Sequence, residues 1–260
     1  MYIIAGVLFA LTRLRGYAGQ KKILVFVAFI TAVTGFLWHA WTLWFATYTP
    51  TGFALSIGNT ASFIGLQLAL IAIIGAIESS LRGLSGGLLI LAALVALMTG
   101  GEPAQASGDV LSIQIQSHIL ISLFAYGLLT VGAIVALYAL IQETRLRAGM
   151  LSSVNQLFAP LETTEKLLFG ITAAGFLLLL VAVSSGFAFV DNLFAQHLVH
   201  KTALSLLALV LFGLLLAGRS FAGWRGKRAV YLYLWGFLIL CLAYFGSRYI
   251  LEEMLGRSWS

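Results

Sequence analysis

The 260-residue chain is 61% hydrophobic and 9% charged, with a mean hydropathy of +1.01, whereas a soluble domain is roughly 45–50% apolar and about 25% charged. A soluble globule is excluded, because no fold of this length hides that much apolar surface from water. The formal charge of +6 is read first as orientation in a lipid bilayer, so no nucleic-acid partner is expected, and the single cysteine, Cys241, offers neither a disulfide framework nor a cysteine metal knuckle.

The first apolar run, residues 1–13, opens MYIIAGVLFALT with no positive charge ahead of it, unlike a cleavable signal peptide. It is therefore expected to be retained, or the true start lies upstream. Twelve helical residues rise only about 18 Å against a hydrocarbon core of roughly 30 Å, so this segment reads as a short eighth span. Apolar runs long enough to cross the core follow near 22–46, 60–81, 84–100, 111–141, 166–187, 200–218 and 229–249. Short loops such as Thr49–Gly52 and Gly100–Gly108 separate them, and Gly83–Gly87 reads as a closely packed helix start, not a nucleotide site. The expected fold is all-α: a polytopic transmembrane helical bundle of about eight spans, forming a single membrane domain over 1–260.

Positive residues are retained on the cytoplasmic side, so the loops assign orientation. Alternate loops collect Arg13, Arg15, Lys21 and Lys22, then Arg82, then Arg145, Arg147 and Lys166, then Arg219, Arg225, Lys227 and Arg228. Those are twelve of the fifteen basic residues; the other side holds Lys201, Arg248 and Arg257. The C-terminus is thereby expected outside.

On that topology the four histidines share the outer leaflet. His39 lies about 24 Å along an outward-going helix, and His118 lies about 10 Å below the same surface on an inward-going one. His197 and His200 sit at the end of an outer loop, three residues apart and on one face if helical. A polar ring inside hydrocarbon is costly, which makes each a functional candidate, with a hydrogen-bonded packing role as the plain alternative. His118 belongs to a stripe of Gln114, Ser122 and Tyr126 at four-residue spacing, expected to point into the bundle. Imidazole is a common axial ligand of haem iron, and a flat macrocycle suits a slot between helices; neutral imidazoles also suit zinc, copper or nickel. Trp38, Trp41 and Trp44 around His39 read as an interfacial belt. Lys201 and Arg248 are placed either to snorkel or to pair with carboxylates such as haem propionates.

Several chemistries find no residues. There is no GxxxxGK phosphate loop, no CxxCH haem-attachment motif, and almost no carboxylate inside the spans.

The strings SHILISLFAYGLL at 117–129, HKTALSLLALVLFGLLLAGR at 200–219, GWRGKRAV at 223–230 and AYFGSR at 243–248 resemble the cytochrome c assembly proteins. The likeness extends over roughly residues 60–250 and is greatest to the HemX/YpjD-like branch of the CcsA and CcmC superfamily. It implies a bacterial plasma (inner) membrane protein that handles non-covalent, b-type haem near the outer face, with other cytochrome assembly or haem-pathway proteins as partners. His118 matches the family's outer axial histidine, and residues 185–201 match the place of its tryptophan-rich WWD loop. That stretch, SGFAFVDNLFAQHLVHK, has no tryptophan; Ala217 stands where the family has a membrane histidine; and ILEEMLGRSWS at the end has no histidine. The resemblance therefore implies haem binding without cytochrome c synthase activity, so no enzyme step is expected. His118 and His200 are the expected axial ligands, with His39, His197, Tyr126, Lys201 and Arg248 as further cofactor contacts. The other reading is a haem-free accessory or transport protein whose histidines bind a divalent metal or line a cavity.

Overall fold

The computed structural model describes residues 1–49, 52–53, 56–99, 112–149, 157–189 and 196–246. Eight α-helices occur among them: α1 (Tyr2–Leu11), α2 (Lys21–Thr47), α3 (Ile57–Gly75), α4 (Arg82–Ala96), α5 (Ile113–Arg147), α6 (Leu161–Phe189), α7 (Gln196–Ala222) and α8 (Lys227–Cys241). Seven of these, α2 to α8 with the turns that prolong them, are long and apolar enough to cross a membrane. The ten residues of α1 rise about 15 Å, half a hydrocarbon core. Fold class is thus as the composition and runs predict, with one small addition: β1 (Tyr48–Thr49) pairs antiparallel with β2 (Gly52–Phe53).

Element ends depart from the apolar runs where turn chemistry overrides hydropathy. The run predicted over 60–81 starts earlier, because the Ser56 hydroxyl caps α3 by accepting from the Asn59 amide at 3.0 Å. It ends earlier as well, at Gly75, since Glu78 accepts from the Ser80 amide and Arg82 Nε donates to the Ala76 carbonyl at 3.1 Å, closing a turn. The last run gives α8 to Cys241 and then a π-helical turn, Leu242–Gly246.

The chain forms two compact units: Met1–Gly108 with Ile141–Lys166, and Asp109–Leu140 with Leu167–Ser260. In the first, α1 runs antiparallel to α2, with Tyr2 against His39 and Phe9 edge-on to Phe29. α1 also meets α4 backbone to backbone: a Cβ on Gly6 would come within 2.7 Å of the Gly86 carbonyl oxygen. Small residues permit this approach where lipid supplies no hydrophobic drive between helices. Trp38, Trp41 and Trp44 lie on the exposed side of α2.

In the second unit α5 pairs with α6, and α8 crosses back along α5 and α7. The Tyr233 side chain is wholly buried, packed edge-on to Phe212 and donating its hydroxyl to the Leu129 carbonyl at 2.8 Å. Gly132 makes room for it: a Cβ there would lie 2.0 Å from the Tyr233 hydroxyl oxygen. The GWRGKRAV string is the α7–α8 turn. Gly223 and Gly226 take φ of +63° and +61°, which side chains resist. The Trp224 indole folds onto Gly218, and Arg219 donates to the Trp224 carbonyl at 3.2 Å.

Candidate functional site

His118 stands half-buried on α5, in the second unit, facing α6. Its Nδ1 lies 2.9 Å from the Ser185 hydroxyl oxygen, and that hydroxyl lies 2.9 Å from the Ala182 carbonyl. A carbonyl only accepts, so with the Ser185 proton on Ala182 the Ser185 oxygen accepts from His118 Nδ1–H. The Ala182 carbonyl also accepts from the His118 ring, so the imidazole is held to α6 at both Ser185 and Ala182, and with the proton on Nδ1 the lone pair falls on Nε2. That is the tautomer and orientation found in metal-ligating histidines, whose second nitrogen is tied to a partner. Gly186 lies beside the ring: a Cβ there would meet His118 Cε1 at 3.2 Å.

Three more side chains of the second unit gather nearby. Lys201, on the second turn of α7, is close enough to His118 to act on it electrostatically. Its ammonium lies 5.6 Å from the centroid of the Tyr244 ring, which in turn sits 5.4 Å from that of Tyr126. Tyr126 is buried and donates its hydroxyl to the Leu240 carbonyl at 2.9 Å. Burial along the polar stripe increases inward, from exposed Gln114 through half-buried His118 and Ser122 to buried Tyr126.

His200 is exposed on α7 and has no hydrogen bond, ion pair or ring contact to a described residue. The His197 side chain and Arg248 lie outside the described residues. His39 belongs to the first unit and is only 5% exposed. The Thr99 hydroxyl donates to the Ala96 carbonyl at 2.8 Å and so accepts from Ser62, which accepts from His39 Nε2–H at 2.7 Å. Tyr2 then donates to His39 Nδ1 at 3.3 Å. Both His39 nitrogens are therefore engaged. Among the described residues no group of three or more His, Cys, Asp or Glu side chains is arranged to hold a metal ion.

The residue patterns do not single out Ser185 and Gly186, because both fall in the stretch matched to a loop. α6 in fact continues to Phe189 and α7 begins at Gln196. The only signal in the sequence is Ser184-Ser185-Gly186, small and polar residues closing an apolar run.

The family model described as "Cytochrome C assembly protein" matches residues 27–255. The chain belongs to the cytochrome c assembly protein family. Among curated relatives, "Inner membrane protein YpjD" of Escherichia coli (strain K12) is 37% identical over 138 residues, covering 53% of this chain and 52% of that protein. An "Uncharacterized 28.8 kDa protein in nifR3-like 5'region" of Azospirillum brasilense is 29% identical over 171 residues, covering 65% of this chain and 63% of that one. The chain thus spans about half the length of the E. coli relative. No solved structure matches. Seven membrane-crossing helices and kinship to an inner membrane protein make this family member a multi-pass protein of the bacterial inner membrane.

Proposed function

We propose that this chain binds non-covalent, b-type haem near the outer face of the inner membrane, and passes it on or regulates its supply. The observation that carries the reading is the His118 imidazole, held against α6 through Nδ1 at Ser185 and by the Ala182 carbonyl, with the lone pair on Nε2 in that tautomer. Haem bound there would supply an iron that a neutral imidazole can ligate, together with two propionate carboxylates. The residues fit such a group: Gly186 keeps the space beside the imidazole free of side chains, and Lys201 offers a cation for a propionate. Exposed His200, adjacent in sequence to Lys201, is the candidate for a second iron ligand. Tyr126 supports the site through Tyr244, and His197 and Arg248 are further candidates. His39, with both nitrogens engaged, serves the packing of the first unit in this reading.

The outer-face assignment is supported by the twelve-to-three split of basic residues between alternate loops. Haem attachment is left out of the proposal, because residues 185–201 lack tryptophan and Ala217 replaces the expected histidine. A divalent-metal site is favoured less, since such sites use three or four protein ligands and no such group occurs among the described residues.

Protein purified from membranes under haem-replete growth is expected to show a Soret band that is lost or displaced in the His118→Ala/His200→Ala double variant. Absence of the band, or a band unchanged in a folded double variant, sinks the proposal. A titration with zinc, copper or nickel, with haem excluded, distinguishes the metal reading.

A further inference from the structure

Lys21 and Lys22 open α2 and Arg82 opens α4, so helices distant in sequence bring three cations together in the first unit. They line an open cavity of about 380 Å3 whose other walls are Val25, Phe26 and Phe29. That volume falls within the roughly 300–1,000 Å3 range of small-ligand sites. Arg82 is pinned through Nε to the Ala76 carbonyl, which leaves its two terminal nitrogens for a ligand. The charges that act on it are Arg13, which repels it, and Glu78, which attracts it while accepting from the Ser80 amide. No carboxylate lines the cavity, and among the described residues none of the three cations forms an ion pair. Phe29 is held edge-on by Phe9, while Phe26 is exposed.

Retention of positive charge on the cytoplasmic side accounts for cations in this part of the chain. It does not account for their convergence on one cavity floored by phenylalanines. An anion is favoured in a cavity lined by three cations, and the adjoining apolar wall calls for a ligand that carries hydrocarbon beside its charge. Basic pockets between membrane helices bind anionic headgroups by this combination. We infer that this cavity binds an anionic phospholipid, its phosphate between Lys21, Lys22 and Arg82 and an acyl chain along Phe26 and Phe29.

The test is native mass spectrometry of the full chain in detergent, titrated with dioleoylphosphatidylglycerol or dioleoylphosphatidylcholine. The anionic lipid is expected to bind at least about tenfold more tightly, and Lys21→Gln or Lys22→Gln each to weaken it by about fivefold. The Lys21→Gln/Lys22→Gln/Arg82→Gln variant is expected to lose the preference. Arg225→Gln/Lys227→Gln/Arg228→Gln, which removes the same charge from the α7–α8 turn, is expected to keep it within about twofold. Equal binding of the two lipids, an equal loss in the α7–α8 variant, or complete displacement by millimolar inorganic phosphate overturns the inference. The exposed single-lysine variants decide the matter if the triple variant does not fold.

Discussion

Ser185→Ala tests the site through a residue that touches no iron. In the wild-type chain the Ser185 hydroxyl spends its proton on Ala182 and accepts from His118 Nδ1–H, both at 2.9 Å. Alanine removes the acceptor from a half-buried imidazole and frees both its tautomer and its rotation. A net hydrogen bond is worth about 0.5–1.5 kcal/mol, which is about two- to thirteenfold in affinity, and loss of a ligand's orienting partner commonly costs about 10–100-fold. We therefore expect haem affinity to fall about tenfold, measured by Soret titration in detergent. Ser185→Thr keeps the hydroxyl and should stay within about twofold of wild type. Nitrogen NMR of selectively labelled histidine should report the Nδ1–H tautomer in haem-free wild type and its loss in the alanine variant. Wild-type haem affinity in Ser185→Ala, or a threonine variant as weak as alanine, refutes the reasoning even if haem binding itself is found.

Gly186→Ala should separate affinity from stability. Alanine favours the helix by up to about 1 kcal/mol, while its Cβ at 3.2 Å from His118 Cε1 crowds the ring, so the melting temperature should hold or rise as Soret absorbance falls. Gly132→Ala should destabilise by about 2–4 kcal/mol, combining overpacking with the strained Tyr233 hydrogen bond. In a double-mutant cycle Tyr233→Phe should offset part of that loss, and strict additivity in denaturation midpoints would count against the packing described. Thr60 Oγ1 is a buried hydroxyl without a hydrogen-bond partner among the described residues, so Thr60→Val should raise stability by about 1 kcal/mol; a lowered melting temperature would show that the hydroxyl is satisfied.

Much of the fold was legible because bilayer physics is coarse. A span needs length and apolarity, and seven runs supplied both. Their ends were less legible, since Ser56 and Arg82 set boundaries through single hydrogen bonds that hydropathy does not register. The GWRGKRAV string was recognisable by resemblance, and its geometry supplies the reason. Two glycines adopt left-handed backbone, and Gly218 lacks the Cβ that would collide with the Trp224 indole. A motif that identifies the family is thus, in this chain, a device for turning α7 into α8.

The two intramembrane histidines mark where the sequence stops informing. Both are imidazoles in apolar helices, and position alone makes both candidates for a ligand. What separates them is the disposal of two ring nitrogens. Two other helices, α1 and α3, close on His39, with Tyr2 donating to one nitrogen and Ser62 accepting from the other. His118 meets Ser185 and the Ala182 carbonyl on one helix, so its ring is fixed from α6 alone, and among the described residues no second helix closes on it through a hydrogen bond. That difference depends on hydroxyls remote in sequence, Ser62 and Thr99 in one case and Ser185 in the other. No periodicity along α2 or α5 encodes it. The chemistry assigned to His118 therefore rests on α6, and on a serine that reads in sequence as no more than a small polar residue near the end of a span.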